Sequence, residues 1–298
     1  VRLVRGVAGS GKSLVLIQRA KYLASQFPDW SILVVTFNKN LAGRLSQDLK
    51  DFKNVRSVNF HKLCRELISS FRTWNVQDKL NSWLSEQEQI AVIINRIGRN
   101  FIKEEIEWIK ENGISDQLEY LNVLRRGRGT DTRITKEQRE QIFQIKQAYQ
   151  THLAENNWFD WYDIPWIVHE GIENGDVETN QYDAILIDEA QDFAPSWIRV
   201  LAGLAKESTS SIFIADDPTQ SIYRFYSWKE KGVQVVGRTR WLRIPYRNTK
   251  QIYSSAFSII EADKNIHDQL VAEGELLNPD IENPWMRSGP RPLLAKFR

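Results

Sequence analysis

The run Gly6-Val7-Ala8-Gly9-Ser10-Gly11-Lys12-Ser13 has the residue types and spacing of a phosphate cradle. It fits G-x-x-x-x-G-K-[ST]. Gly6, Gly9 and Gly11 let the backbone N–H groups of the loop, those of Ala8 and Ser10 among them, curl around a phosphate. The start of the following helix adds the positive end of a dipole. Lys12 is of a length to reach the β- and γ-phosphates, and Ser13 can place its hydroxyl on Mg²⁺. Such a site needs a second, metal-side carboxylate. Ala184-Ile185-Leu186-Ile187-Asp188-Glu189 supplies one at the end of an apolar strand. Asp188 is expected in the Mg²⁺ shell, with Glu189 turned towards a water as general base. An acidic pair after a strand reads equally well as a helix N-terminal cap when taken alone. Joined to the phosphate loop, it points to binding and hydrolysis of ATP with Mg²⁺.

The elements that must hold these residues are legible too. A strand at Arg2–Arg5 runs into the Gly-rich turn, and a helix is expected over Ser13–Gln26. The β-branched run Ser31–Phe37 and the segment Val55–Asn59 read as strands, with helices over Leu41–Leu49 and His61–Phe71. This alternation argues an α/β fold, a parallel sheet covered by helices. From Trp74 to Asn157 strand texture vanishes, and Ile90, Ile93, Ile94, Ile97, Phe101, Ile106 and Ile109 sit at helical spacing. A helical insertion subdomain of about 80 residues is expected there. It carries a basic stretch, Arg125, Arg126, Arg128, Arg133, Lys136 and Arg139, which reads either as a solvated loop or as a nucleic-acid contact. Strands return at Ala184–Ile187 and Ser211–Ala215, and Val233–Ile244 is β-rich. Trp228 and Trp241 carry no motif and are expected in the core.

Composition sets the bounds. The chain has 298 residues, 42% hydrophobic and 11% aromatic, which excludes a disordered polymer and suggests about two domains. Its formal net charge of +2 does not announce a nucleic-acid binder, so any such role needs a local site. No apolar run approaches the ~18 residues of a membrane span, and no signal peptide is visible. Cys64 is the only cysteine, which excludes an intrachain disulfide and a Cys-based zinc site. The chain opens at Val1 inside an apparent strand, so the sequence reads as a piece of a longer, cytosolic protein.

Further motifs carry a family resemblance. Asp188-Glu189-Ala190-Gln191-Asp192, together with Asp217-Pro218-Thr219-Gln220-Ser221-Ile222-Tyr223, resembles the superfamily 1 helicases of the UvrD/Rep/PcrA kind. In the family's order, Thr36-Phe37-Asn38-Lys39-Asn40-Leu41-Ala42 is similar to motif Ia and Asn59-Phe60-His61 to the Thr-Phe-His motif. Asn157-Trp158-Phe159-Asp160-Trp161-Tyr162-Asp163 is similar to the Leu-Asp-Phe-Asp-Asp segment, and Pro245-Tyr246-Arg247-Asn248-Thr249 to motif IV. The resemblance implies a RecA-like P-loop NTPase domain (residues 1–72 and 156–232), a helical insertion (73–155) and the start of a second RecA-like domain (233–298). It implies that Gln220 contacts the γ-phosphate and the attacking water. Arg247 would reach the γ-phosphate from the second domain, and Tyr246 would stack on adenine. It implies ATP-driven stepping 3′ to 5′ along single-stranded DNA. The same resemblance places Phe37 and Phe225 as base-stacking aromatics, with Asn38 and His61 on the backbone or sugars. Tyr223 is a further candidate. For each aromatic, core packing is the alternative.

The sequence departs from the family in places. Tyr226 stands where relatives carry Arg, and Asn59 where they carry Thr. The adenine-reading glutamine segment before the phosphate loop, and the motifs that close the second RecA-like domain, are absent from these 298 residues. Leu293–Phe297 looks like an early strand of that domain. Three readings follow: an ATP-dependent helicase or single-strand translocase; a DNA-binding ATPase, in one form nuclease-linked, that remodels or signals without unwinding; and a nucleotide switch of the GTPase or kinase type. The last leaves Gln220, Phe225 and Tyr246-Arg247 unexplained.

Overall fold

The computed structural model describes residues 1–123, 134–209, 211–220, 228–229, 231–234, 237–262, 271 and 279–293. In chain order its elements are β1 (Arg2–Gly6), α1 (Lys12–Gln26), β2 (Ile32–Thr36), α2 (Lys39–Asp48), β3 (Val55–Asn59) and α3 (Phe60–Ser69). There follow α4 (Leu80–Glu86), α5 (Ala91–Ile97), α6 (Arg99–Asn112), α7 (Gln117–Asn122), α8 (Lys136–Glu155) and α9 (Ile164–Asn174). The described chain continues with β4 (Ala184–Asp188), α10 (Pro195–Leu204), β5 (Ser211–Asp216), β6 (Thr239–Leu242) and α11 (Lys250–Ala262). These fall into two compact units: residues 1–60, 180–193 and 205–298 in one, 61–179 and 194–204 in the other.

The first unit is built on a six-stranded sheet of order β3-β2-β4-β5-β1-β6, every neighbouring pair parallel. β2 (ILVVT) and β4 (AILID) are buried at every position, as strands inside a parallel sheet must be. α1 turns Leu16, Ala20, Leu23 and Ala24 onto Val4, Ile32, Val34, Leu186 and Phe213, the apolar stripe that a 3.6-residue period produces. β5 lies between β1 and β4, with Arg5 level with Asp216 and Ile187 level with Ile214. On β2, Thr36 is level with both Asp188 and Asn59. The C-terminal ends of these strands therefore form one rim, where ligands bind in open parallel sheets.

Among the described residues, the β-rich segment 233–244 contributes β6, the last strand of the sheet, beside β1. As an edge strand it leaves Trp241 36% exposed, so this tryptophan is not the core residue expected; it lies over the Arg5 guanidinium at 5.5 Å. Trp228 is buried as expected and donates its Nε1–H to Asp216 Oδ2 at 2.7 Å.

The second unit is helical among its described residues. The periodicity over 90–109 is interrupted at Gly98, whose φ of 98° ends α5 and starts α6. α8 opens on a reciprocal cap between Thr135 and Gln138 and buries Ile142, Phe143, Ile145, Tyr149 and Leu153. Residues 159–163 are pinned to α6, where the buried Lys110 ammonium donates to Asp160 Oδ2 (2.6 Å) and lies 2.8 Å from Asp163 Oδ1. Burial, opposed by Lys110, pushes the Asp160 carboxyl up to about 6. Of the basic stretch, Arg125, Arg126, Arg128 and Arg133 lie outside the described residues. Arg139 donates to the Leu121 and Val123 carbonyls (2.6 and 2.9 Å), a use within the helical unit. Among the described residues no helix is long and apolar enough to cross a membrane. The strand expected at 293–297 lies outside the described residues except for Leu293.

Candidate functional site

β1 delivers the chain into the Gly6–Ser13 loop, and α1 leaves it at Lys12. Gly6 has no space for a side chain, since a Cβ there would run into Ser10 Oγ. Gly9 has a φ of +77°, and a Cβ on it would stand 2.5 Å from Arg247 Cβ. Both positions therefore need glycine, one for close approach and one also for a left-handed backbone. Gly11 caps α1 without a side-chain hydrogen bond, so the first-turn N–H groups are left to a ligand. Ser10 Oγ is buried with no hydrogen-bond partner.

Lys12 is buried, and its Nζ donates to the carbonyls of Gly6 (2.9 Å) and Val7 (3.3 Å) and to Asp217 Oδ2 (3.3 Å). An ammonium has three protons, so a phosphate oxygen reaching Lys12 must displace one of these acceptors. The loop and its lysine are thus a preformed, strongly polar pocket wall.

Asp188 ends β4, fully buried, and neither carboxylate oxygen makes a hydrogen bond. Burial pushes it up to about 6; the nearby Ser13 hydroxyl opposes that shift, and the Glu189 charge adds to it. A buried carboxylate with the Ser13 hydroxyl nearby but no close hydrogen bond has a large unmet demand for a cation. The residues present therefore fit Mg²⁺, which Ser13 and Asp188 would hold. Glu189 follows with φ 52° and ψ 46°, left-handed for a residue with a Cβ. That conformation costs about 1–3 kcal/mol and persists where the surroundings enforce it. The Glu189 Oε2 accepts from Gln191 Nε2 at 2.7 Å.

β5 brings a third group that the motif reading quoted but gave no role. Asp217, fully buried, accepts from Lys12, from Thr219 N (3.1 Å) and Oγ1 (2.6 Å), and from Gln220 Nε2, while its own N–H donates to Gln191 Oε1 at 3.1 Å. The strand order explains this, because β5 is the strand between the phosphate loop and Asp188. No pattern in the residues showed it, since it depends on which strands are neighbours.

Arg247 is brought to the same loop, its N–H donating to the Gly9 carbonyl at 3.3 Å. Arg287 Nη2 donates to the Tyr246 and Arg247 carbonyls at 3.1 and 2.7 Å and so fixes that turn. Tyr246 is 51% exposed.

The expected DNA contacts divide. Phe37, at the end of β2, is half-buried. Asn38 is exposed, and its Oδ1 caps α2 by accepting from Asn40 N (2.8 Å) and Leu41 N (3.1 Å). A helix cap is a structural use of that oxygen, and the Nδ2 donors remain for another partner. His61, in the helical unit, meets Trp161 and Trp197 edge-on, with centroids at 5.3 and 4.9 Å. Burial lowers its pKa to about 4, so it is neutral at pH 7. Tyr223 and Phe225 lie outside the described residues.

The family model for the UvrD/REP helicase N-terminal domain matches residues 1–230. The chain is 26% identical over 308 residues to "Putative ATP-dependent DNA helicase YjcD" of Bacillus subtilis (strain 168), covering 95% of this chain and 39% of that protein. It is 26% identical over 285 residues to DNA helicase II of Escherichia coli (strain K12), covering 87% and 38%. It is 27% identical over 247 residues to F-box DNA helicase 1 of Gallus gallus, covering 74% and 22%. The chain thus spans less than two-fifths of the length of each of these relatives. The phosphate loop, the carboxylates beside it and a match over 1–230 lead to one assignment: this chain belongs to the UvrD/REP helicase N-terminal domain family.

Proposed function

We propose that this chain is the ATP-binding portion of a DNA helicase that moves 3′ to 5′ along single-stranded DNA, a cytosolic enzyme using ATP and Mg²⁺. The observation that carries the reading is the buried, hydrogen-bond-free carboxylate of Asp188 at the mouth of the Gly6–Ser13 loop. Ser13 and Asp188 would hold Mg²⁺, which when bound neutralises charge on the β- and γ-phosphates. The loop from Gly6 to Ser13 binds and orients the phosphates, with Ala8 contributing its backbone N–H and Ser10 exchanging the N–H bond that it now makes to the Val7 carbonyl at 3.0 Å. Lys12 exchanges an acceptor for a phosphate oxygen. Glu189 takes the proton of the attacking water. Gln220 and Arg247 address the γ-phosphate, and Tyr246 offers its ring to adenine. Phe37, Asn38, His61, Tyr223 and Phe225 are the proposed contacts to the strand, stacking being worth about 1–3 kcal/mol per base. Residues 1–72 with 156–232, 73–155 and 233–298 are proposed as the ATPase domain, its insertion and the start of a second RecA-like domain.

The test is strand displacement by the complete protein on duplexes with a 3′ or a 5′ single-stranded tail, beside ATP turnover with and without oligonucleotide. The account expects DNA-stimulated turnover and displacement from the 3′ tail. Stimulated turnover without displacement from either tail would favour an ATPase that remodels or signals. Turnover indifferent to DNA would remove the DNA reading.

A further inference from the structure

We infer that Gln191 is the positioning residue of the general base, and that through Asp217 it ties the base to the groups that meet the γ-phosphate. The inference rests on the hydrolytic role of Glu189 proposed above. Gln191 is buried, 7% exposed, one turn beyond the end of β4. Both ends of its amide are used. Nε2 donates to Glu189 Oε2 at 2.7 Å, and Oε1 accepts from the Asp217 N–H at 3.1 Å. The second bond also settles which way the amide faces, since only its oxygen can accept from an N–H. Glu189 is thereby held at the donor end of a group whose other end is fixed to β5.

The anchor is itself shared. The Asp217 side chain accepts from Lys12 Nζ and Gln220 Nε2 on the same oxygen, Oδ2, while Thr219 occupies Oδ1 through its N–H and hydroxyl. One residue, Asp217, directly after β5, thus touches the phosphate-loop lysine, the glutamine expected at the γ-phosphate and the amide that aims the base. A second set of contacts holds the turn. The Ala190 carbonyl accepts from the buried Lys231 ammonium at 2.7 Å, and the Glu189 carbonyl accepts from Asp192 N at 3.1 Å. The left-handed Glu189 thus leads into a turn that is held in place. A residue such as Met at 191 would fill the same space and could hold neither partner. Glu189 would keep its identity and lose its aim, and misplacement of a catalytic group costs rate far more than binding.

The experiment is single-turnover ATP hydrolysis and Mg-ATP affinity for Gln191→Met in the complete protein, in the wild-type and in the Glu189→Gln background. Gln191→Glu is measured in parallel. It retains an acceptor for the Asp217 N–H, and so the anchor of the fold, but offers Glu189 no donor. The expected result is a fall in the hydrolysis rate of about tenfold in both variants, with affinity within about twofold of wild type. In the Glu189→Gln background Gln191→Met should change the rate by less than about twofold, because groups acting through one another are not additive. An unchanged rate in either folded variant overturns the inference. So does an equal fall in the Glu189→Gln background, which would place the action of Gln191 elsewhere. If Glu189→Gln alone hydrolyses at the wild-type rate, it is the proposed role of Glu189 that fails.

Discussion

Gly9 carries two constraints at one Cα: a φ of +77°, and the Arg247 Cβ pressed close above it. Ala at this position must give up either the left-handed turn or the packing of Arg247. Gly9→Ala should therefore lower Mg-ATP affinity by about tenfold or more with little change in thermal stability; retained affinity would mean that the loop reshapes freely. His61 makes a different prediction. Its pKa is about 4 in the fold against about 6.5 in an open chain, so the folded state excludes a proton that the unfolded state takes up. The stability this gives is complete above pH 6.5 and is lost as pH falls from 6.5 towards 4, by roughly 1–3 kcal/mol. Urea unfolding at pH 7 and pH 4.5 should show this loss shrinking in His61→Gln; an equal loss in both proteins would assign it to other groups. At this scale the sequence was readable where chemistry forces a residue type at a fixed spacing, as at Lys12 and Asp188. It was silent on Asp217 and Gln191, whose roles come from partners 205 and 26 residues away.

At the scale of elements, the Asp160–Lys110–Asp163 cluster shows what a helicase-like motif can do for folding alone. Its two aspartates close a buried ion cluster on α6, and Asp163 also accepts from Gln150 Nε2 on α8 at 3.0 Å. Removing the cation leaves two buried carboxylates facing one another. Lys110→Met should therefore cost about 3–5 kcal/mol in chemical denaturation, and less below pH 6, where Asp160 takes up a proton. A cost under about 1 kcal/mol would mean the cluster is solvated. Strand existence was well marked, because β2 (ILVVT) and β4 (AILID) are each a run of four apolar residues closed by a polar one. Val55–Asn59 was read to the residue. The break at Gly98 and the edge position of β6 were not marked, since one depends on a single backbone angle and the other on strand neighbours. Trp241 was misplaced for the second reason.

At the scale of the whole molecule, the strand order does the positioning. With β5 between β1 and β4, the phosphate loop, Asp217 and the Asp188-Glu189 pair share one rim of one sheet. The chain covers 39% and 38% of the two bacterial helicases compared with it. Residues 1–298 expressed alone should bind ATP weakly and show no efficient DNA-stimulated turnover, because transition-state charge is stabilised only by groups held in advance. A coupled ATPase assay with and without oligonucleotide checks this, and robust stimulation would show that nothing further is needed. The central claim is that Glu189 activates water at a phosphate site that Lys12, Ser13 and Asp188 hold independently of it. Single-turnover ATP hydrolysis by the complete protein carrying Glu189→Gln, measured beside its Mg-ATP affinity, tests this most directly. The account predicts a rate lower by about a hundredfold or more with affinity within about threefold of wild type; hydrolysis at the wild-type rate would contradict it.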